Sequence, residues 1–186
     1  DESDPYIAAI QIENYAWLGA SDRYVLARER CVIELGKAAL RMGIVGPSGL
    51  PIGEVAATDA ELVAALEAVV GAVTRLYEED VDGESWNAMI AAADGLRALP
   101  MDHAGARKSL HYLNRLVRTW GSDPETIGPL FELIEHVATI CVRRTLAIAL
   151  VDDNEWVRAA AHEACAPLGS DTRFQLFLMG AQDPSE

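Results

Sequence analysis

Lysine is nearly missing from this sequence, long apolar runs are missing altogether, and the few cysteines do not pair. Only two of the fifteen basic residues are lysine, Lys37 and Lys108. The arginine bias is the mark of a GC-rich coding sequence, read here as bacterial, and carries no mechanism. The three cysteines, Cys31, Cys141 and Cys165, stand far apart. No two cysteines are close enough to give the paired ligands of a zinc site, so none is expected. The thiols suit small buried hydrophobes in a reducing compartment. No apolar run approaches the roughly 20 residues that cross a bilayer, and Arg143 and Arg144 break one of the longest. The cytoplasm is therefore the expected location. The chain starts at Asp1 rather than Met, so a removed leader, or a domain cut from a longer chain, stays among the expectations.

Positive charge is also scarce. The 186 residues carry 29 Asp and Glu against 15 Lys and Arg, a formal charge of −14. Nucleic acid and anionic bilayers are polyanions, so neither is expected as a partner. A basic protein is the partner such a charge would attract.

What is present is alanine and leucine, in periodic stretches that favour helices. The apolar positions Ile7, Ile10, Tyr15 and Leu18 predict a helix from about 6 to 17, with a turn at "GASD" (19–22) and Ser21 or Asp22 as the next N-cap. A second helix is predicted over 23–42, apolar on more than one side. Four Gly and two Pro in residues 43–53 predict a linker. That segment lacks the Gly-Lys-Ser/Thr ending of a phosphate loop and the second Gly of a nucleophile elbow.

Thr58 and Glu61 have capping-box spacing, and Leu62, Ala65, Leu66, Val69, Val73 and Leu76 continue as a 3.6-residue stripe to about 79. The acidic run 78–84 begins like a calcium loop at Asp80, Asp82 and Glu84. It lacks the Gly and the final Glu such a loop needs, so it reads as an acidic turn. Helices follow over 85–99 (Trp86, Met89, Ile90, Ala93, Leu96 and Leu99 inward), 105–120 (Leu110, Leu113, Val117, Trp120), 124–151 (Ile127, Leu130, Ile134, Ala138, Cys141, Thr145, Ile148), 155–168 and 172–180. No stretch reads as a strand. The expected fold is all-α: an antiparallel stack of seven or eight helices in a single domain over 1–186, with an N-terminal sub-part at 6–42 and a main body at 58–180. The four tryptophans are expected to fill gaps between Ala-rich helices.

Residues 152–170 end one helix and begin another. Asp152 and Asp153 stand before an apolar series, Trp156, Val157, Ala160, Ala161, Ala164, Cys165 and Leu168, which Gly169 closes. The acids suit the free N–H groups and positive pole of a helix start, and Gly169 a left-handed stop. With Leu146, Leu150, Asp152, Val157-Arg158, Ala160-Ala161 and Leu168-Gly169 in that order, the stretch 140–169 resembles a HEAT repeat. The resemblance implies an α-α superhelix in which Asp152 and Arg158 bridge neighbouring repeats. Asp22 with Arg28 and Asp102 with Lys108 repeat the six-residue step, but the spacings of 80 and 50 residues exclude a regular array.

No catalytic residue, cofactor or metal site is expected. His103, His111, His136 and His162 form no His-Glu-x-x-His or Glu-x-x-His pattern, and His136 and His162 read as surface side chains. One constellation stands out. Arg107, His111, Arg115 and Arg118 follow at steps of four, four and three, with Lys108 beside them. That spacing makes a positive stripe along one helix face. It serves either to neutralise nearby acids such as those of 78–84, or to recognise an anionic segment or ligand. Three function classes follow: a non-catalytic interaction module docking a basic partner, as immunity proteins and nuclease inhibitors do; a small-molecule or anion-binding helical protein or enzyme using the Arg107/His111/Arg115/Arg118 face; and a regulatory domain of a longer chain.

Overall fold

The structure, a computed structural model, describes residues 5–21, 23–44, 55–78, 83–120 and 124–181. Most of the linker expected at 43–53, and residues 79–82 of the acidic run, lie outside the described residues. The described chain is all-α. Its helices are α1 (Pro5–Ser21), α2 (Val25–Arg41), α3 (Asp59–Glu78), α4 (Gly83–Arg97), α5 (His103–Trp120), α6 (Pro124–Leu150), α7 (Glu155–Cys165) and α8 (Ser170–Gly180), with a 3₁₀ turn at Ala166–Leu168. No described residue is in a strand, and no described helix is long and apolar enough to cross a membrane.

The chain divides into two compact units, one of residues 1–54 with 138–186 and one of residues 55–137. In the first unit, α1 differs from expectation. Of the "GASD" segment, Gly19, Ala20 and Ser21 continue the helix instead of turning, Asp22 lies outside the described residues, and the N-cap of α2 is Tyr24, which gives no side-chain cap. The buried side of α1 is Ala8, Ala9, Ile12 and Ala16, while Leu18 is exposed. Small side chains let the neighbouring axis approach closely. A Cβ on Gly19 would stand 3.3 Å from Val32 and 3.8 Å from Cys31, both on α2. Arg41 of α2 donates to Gln11 of α1 at 2.6 Å, so the two helices run antiparallel.

The partner of α2's other side is α7. Arg28, in the first turn of α2, bonds Asp152 just before α7, at 3.2 Å. Three turns of α7 later, a Cβ on Gly36 would stand 2.8 Å from that of Ala164. Both contacts advance in the same direction, so α2 and α7 lie parallel, although over 120 residues separate Arg28 from Asp152. Sequence neighbours alone would have suggested only antiparallel pairs. Chain reversal after α7 uses Gly169 at φ +83° and ψ 163°. That region is open to glycine and nearly closed to other residues. It has the positive φ of the expected stop, but an extended rather than left-handed ψ. α8 then returns until Gly180 lies against the carbonyl of Ala147 on α6, with no room for a side chain.

In the second unit, the capping box forms as its spacing predicts. The Thr58 N–H and hydroxyl donate to Glu61 at 2.7 and 2.8 Å, and the Glu61 N–H returns to the Thr58 hydroxyl at 3.3 Å. Leu62, Leu66, Val69, Val73 and Leu76 are buried, with Ala65 half-buried. On α4, Met89, Ala93 and Leu96 are buried, but Ile90 is not inward; it is exposed. α5 begins two residues earlier than expected. Asp102 accepts the Gly105 N–H at 2.7 Å, and a Cβ on Gly105 would come within 2.8 Å of Leu62 on α3. Trp120 stacks on Tyr77, centroids 5.1 Å apart. α6 runs through both units: Leu130 and Ile134 are buried in this one, and Ala138, Cys141 and Thr145 are buried and Ile148 half-buried in the first; the Ile127 side chain lies outside the described residues.

Candidate functional site

The positive row on α5 sits opposite a buried face of Ala106, Leu110, Leu113 and Val117. With the apolar stripe held inward, the same periodicity turns the bases out. His111, Arg115 and Arg118 are exposed, Arg107 and Lys108 half-buried. No Asp or Glu occurs anywhere in α5. Lys108 pairs with Asp59 of α3 at 3.2 Å, an acid other than those of 78–84. Arg115 and Arg118 make no ion pair with any described residue. Tyr112, exposed, stands edge-on to His111.

In the turn into α7 the two residues of the expected repeat pair have separate partners. Arg158 does not meet the Asp152 carboxylate; it donates to the backbone carbonyls of Asp152 and Asp153. The Asp152 carboxylate takes Arg28 at 3.2 Å and the Asn154 N–H at 2.8 Å. Neither acid caps the helix. That role falls to Asn154, whose side chain accepts the Trp156 N–H at 2.9 Å.

Sequence reasoning missed a group of exposed aromatic rings. Trp156 and Phe174 are each 62% exposed and Phe177 45%. Trp17 is exposed as well. These tryptophans do not fill gaps between helices; only Trp86 and Trp120 are half-buried. The reason is local. The inward face of α7 is taken by Val157, Ala160, Ala161 and Cys165, and Trp156 precedes that face by one residue. Phe174 and Phe177, three apart, flank the buried Leu176 in the same way. Because Gly180 at the end of α8 meets Ala147, and α7 starts just after α6, Phe177 and Trp156 lie toward the same end of the α7–α8 hairpin. Along the same stretch of chain Asp153, Glu155, Glu163 and Asp171 are exposed, while Arg158 and Arg173 are half-buried. Helices α7 and α8 thus carry exposed aromatic rings and exposed carboxylates close together in sequence.

Nothing among the described residues gathers three metal-ligating side chains. His162 is exposed, as expected, but His136 is half-buried rather than on the surface. Burial pushes the Cys165 thiol up to about 11, which keeps it protonated and a poor nucleophile. Burial also lowers the Arg143 guanidinium from its ordinary value.

Compared with known proteins, the chain matches no protein-family model, no curated protein and no solved structure.

Proposed function

We propose that this chain is a non-catalytic protein-interaction module that docks a basic partner on its α7–α8 surface. The observation that carries the reading is the exposure of Trp156, Phe174 and Phe177 on two helices whose stretch of chain, 153–177, also exposes four carboxylates. Burying one such ring is worth roughly 1.5–3 kcal/mol, and aromatics at the centre of an interface dominate its energy. The net charge of −14 raises the encounter rate with a cationic protein, and the rings then hold it. The same charge speaks against nucleic acid or a bilayer as partner. Three buried cysteine thiols suit a reducing cytoplasm.

A HEAT-like helical fold, irregular in its repeats, belongs to the same proposal. Its support is the Arg28–Asp152 bond, which joins α2 to the turn before α7. Arg28 and Arg158 hold the same place in the six-residue step.

Affinity capture from the source-cell extract tests the function, with wild type beside Trp156→Ala/Phe174→Ala. A basic protein retained by wild type, released by salt and lost on the double variant supports it. The same proteins on both columns overturn it. A second reading rests on Arg115 and Arg118, which have no ion pair among the described residues: the α5 row takes an acidic segment or a phosphorylated ligand. A metabolite held in native mass spectrometry and lost on Arg115→Ala/Arg118→Ala would favour that reading.

A further inference from the structure

The solvent side of α2 carries two rows with the same period. Arg23, Arg30 and Lys37 are seven residues apart, and so are Leu26, Ile33 and Leu40. Each base stands three residues before its apolar partner. Arg23 lies just before the helix and the others within it. Arg30, Lys37 and Leu40 are exposed, Ile33 is half-buried, and Leu26 is 79% exposed. The opposite side of the helix, Val32, Leu35, Gly36 and Ala39, is fully used by the core. The outer rows, Ile33 apart, therefore stand outside the core packing, yet they alternate along the helix at steps of four and three. A sustained seven-residue repeat is the pattern by which one helix receives another.

We propose that this face of α2 docks an acidic amphipathic helix of a partner protein, leucine-like residues seating on Leu26, Ile33 and Leu40 and carboxylates meeting Arg23, Arg30 and Lys37. Charge decides against the other occupants. A second copy of this chain would bring the same bases from both sides into one seam. An anionic membrane would meet the whole molecule, whose charge is −14, and would be repelled. A single helix meets only α2, and acids beyond the Debye length of about 8 Å are screened at physiological salt. Two acids border the rows: Glu29, which is half-buried, and Glu34, which is occupied by Lys37 at 2.8 Å, a bond that holds its carboxyl below the ordinary range. This surface is separate from the α7–α8 rings, and the inference does not depend on them.

The test uses the whole chain and two fluorescent synthetic helical peptides, each with leucine every seven residues. One carries glutamate at the positions facing the bases, the other lysine. Anisotropy should show saturable binding of the glutamate peptide alone. R30E/K37E should weaken it about tenfold, since two exposed pairs are lost, and should gain the lysine peptide. L26S/L40S should weaken it by about as much while circular dichroism stays unchanged. Trp156→Ala should bind the glutamate peptide normally, which separates this inference from the α7–α8 reading. Equal binding of both peptides, or of neither, overturns the proposal. So does a dimer in sedimentation that L26S/L40S dissolves, and so does binding to phosphatidylglycerol vesicles that R30E/K37E abolishes.

Discussion

Gly36 of α2 and Ala164 of α7 touch so closely that a methyl group on Gly36 would stand 2.8 Å from the Ala164 Cβ and 3.1 Å from its Cα. Two effects compete in Gly36→Ala. Helix propensity gains about 0.5–1 kcal/mol. Overpacking costs about 1–3 kcal/mol, because the opposing atoms belong to or adjoin the backbone and cannot rotate away. Overpacking should win, giving a net loss of about 1 kcal/mol in urea unfolding. Adding Ala164→Gly should recover part of it. A stabilised Gly36→Ala protein would contradict the parallel contact.

The Arg28–Asp152 bond is mostly shielded from water, with 22% and 11% of the two side chains exposed. Hydrogen bonds to charged groups contribute about 1.5–3 kcal/mol. Asp152→Ala should cost more than Arg28→Ala, because Asp152 also accepts the Asn154 N–H. A double-mutant cycle should give a coupling above about 0.5 kcal/mol; additive losses would mean that the pair does not join α2 to the α7 turn.

Thr58→Ala removes the cap of α3 and should cost about 1 kcal/mol. The Glu61 carboxyl is held below its ordinary value of 4.5, first by the Thr58 backbone N–H and then by its hydroxyl. A lowered folded-state pKa gives stability that is present above the ordinary value and lost as pH falls through the folded one. The difference between wild type and Glu61→Gln should therefore shrink between about pH 6 and pH 3, and shrink further in high salt. A difference that holds constant across that range would rule out this coupling.

Tryptophan substitutions should fall into two classes. Trp17→Ala and Trp156→Ala remove exposed rings and should change stability by no more than about 0.5–1 kcal/mol. Trp120→Ala removes a half-buried ring stacked on Tyr77 and should cost about 2 kcal/mol or more. Acrylamide quenching provides the check without perturbing stability. Emission should lose more of its quenchable fraction in Trp156→Ala than in Trp120→Ala.

Much of the fold was legible because it is local. The Thr58–Glu61 box, the stripe from Leu62 to Leu76 and the outward row on α5 follow from spacings of three and four residues, and each formed. What failed was long-range. Nothing near Gly36 in the chain announces Ala164. Nothing in "GASD" says that Val32 and Cys31 will shelter Gly19 and keep it helical. Trp156 looked like a core residue because its neighbour Val157 is one; the face it takes was decided by which side of α7 meets α2. The α5 row was visible as a pattern, but the pairing of Lys108 with Asp59, 49 residues away, was not. The aromatic surface on α7–α8 was missed because composition marks a ring as apolar and is silent about where the helix turns it.

The parallel contact of α2 with α7 also sets an order of events during synthesis. The unit of residues 55–137 is continuous, so it can close as soon as it leaves the ribosome. α1 and α2 emerge earlier, yet the side of α2 that carries Gly36 must wait for Ala164 of α7 before it is covered. For that interval, at roughly 5–20 residues per second, a nascent hairpin stands with its seam open, and it is there that a chaperone would find its grip.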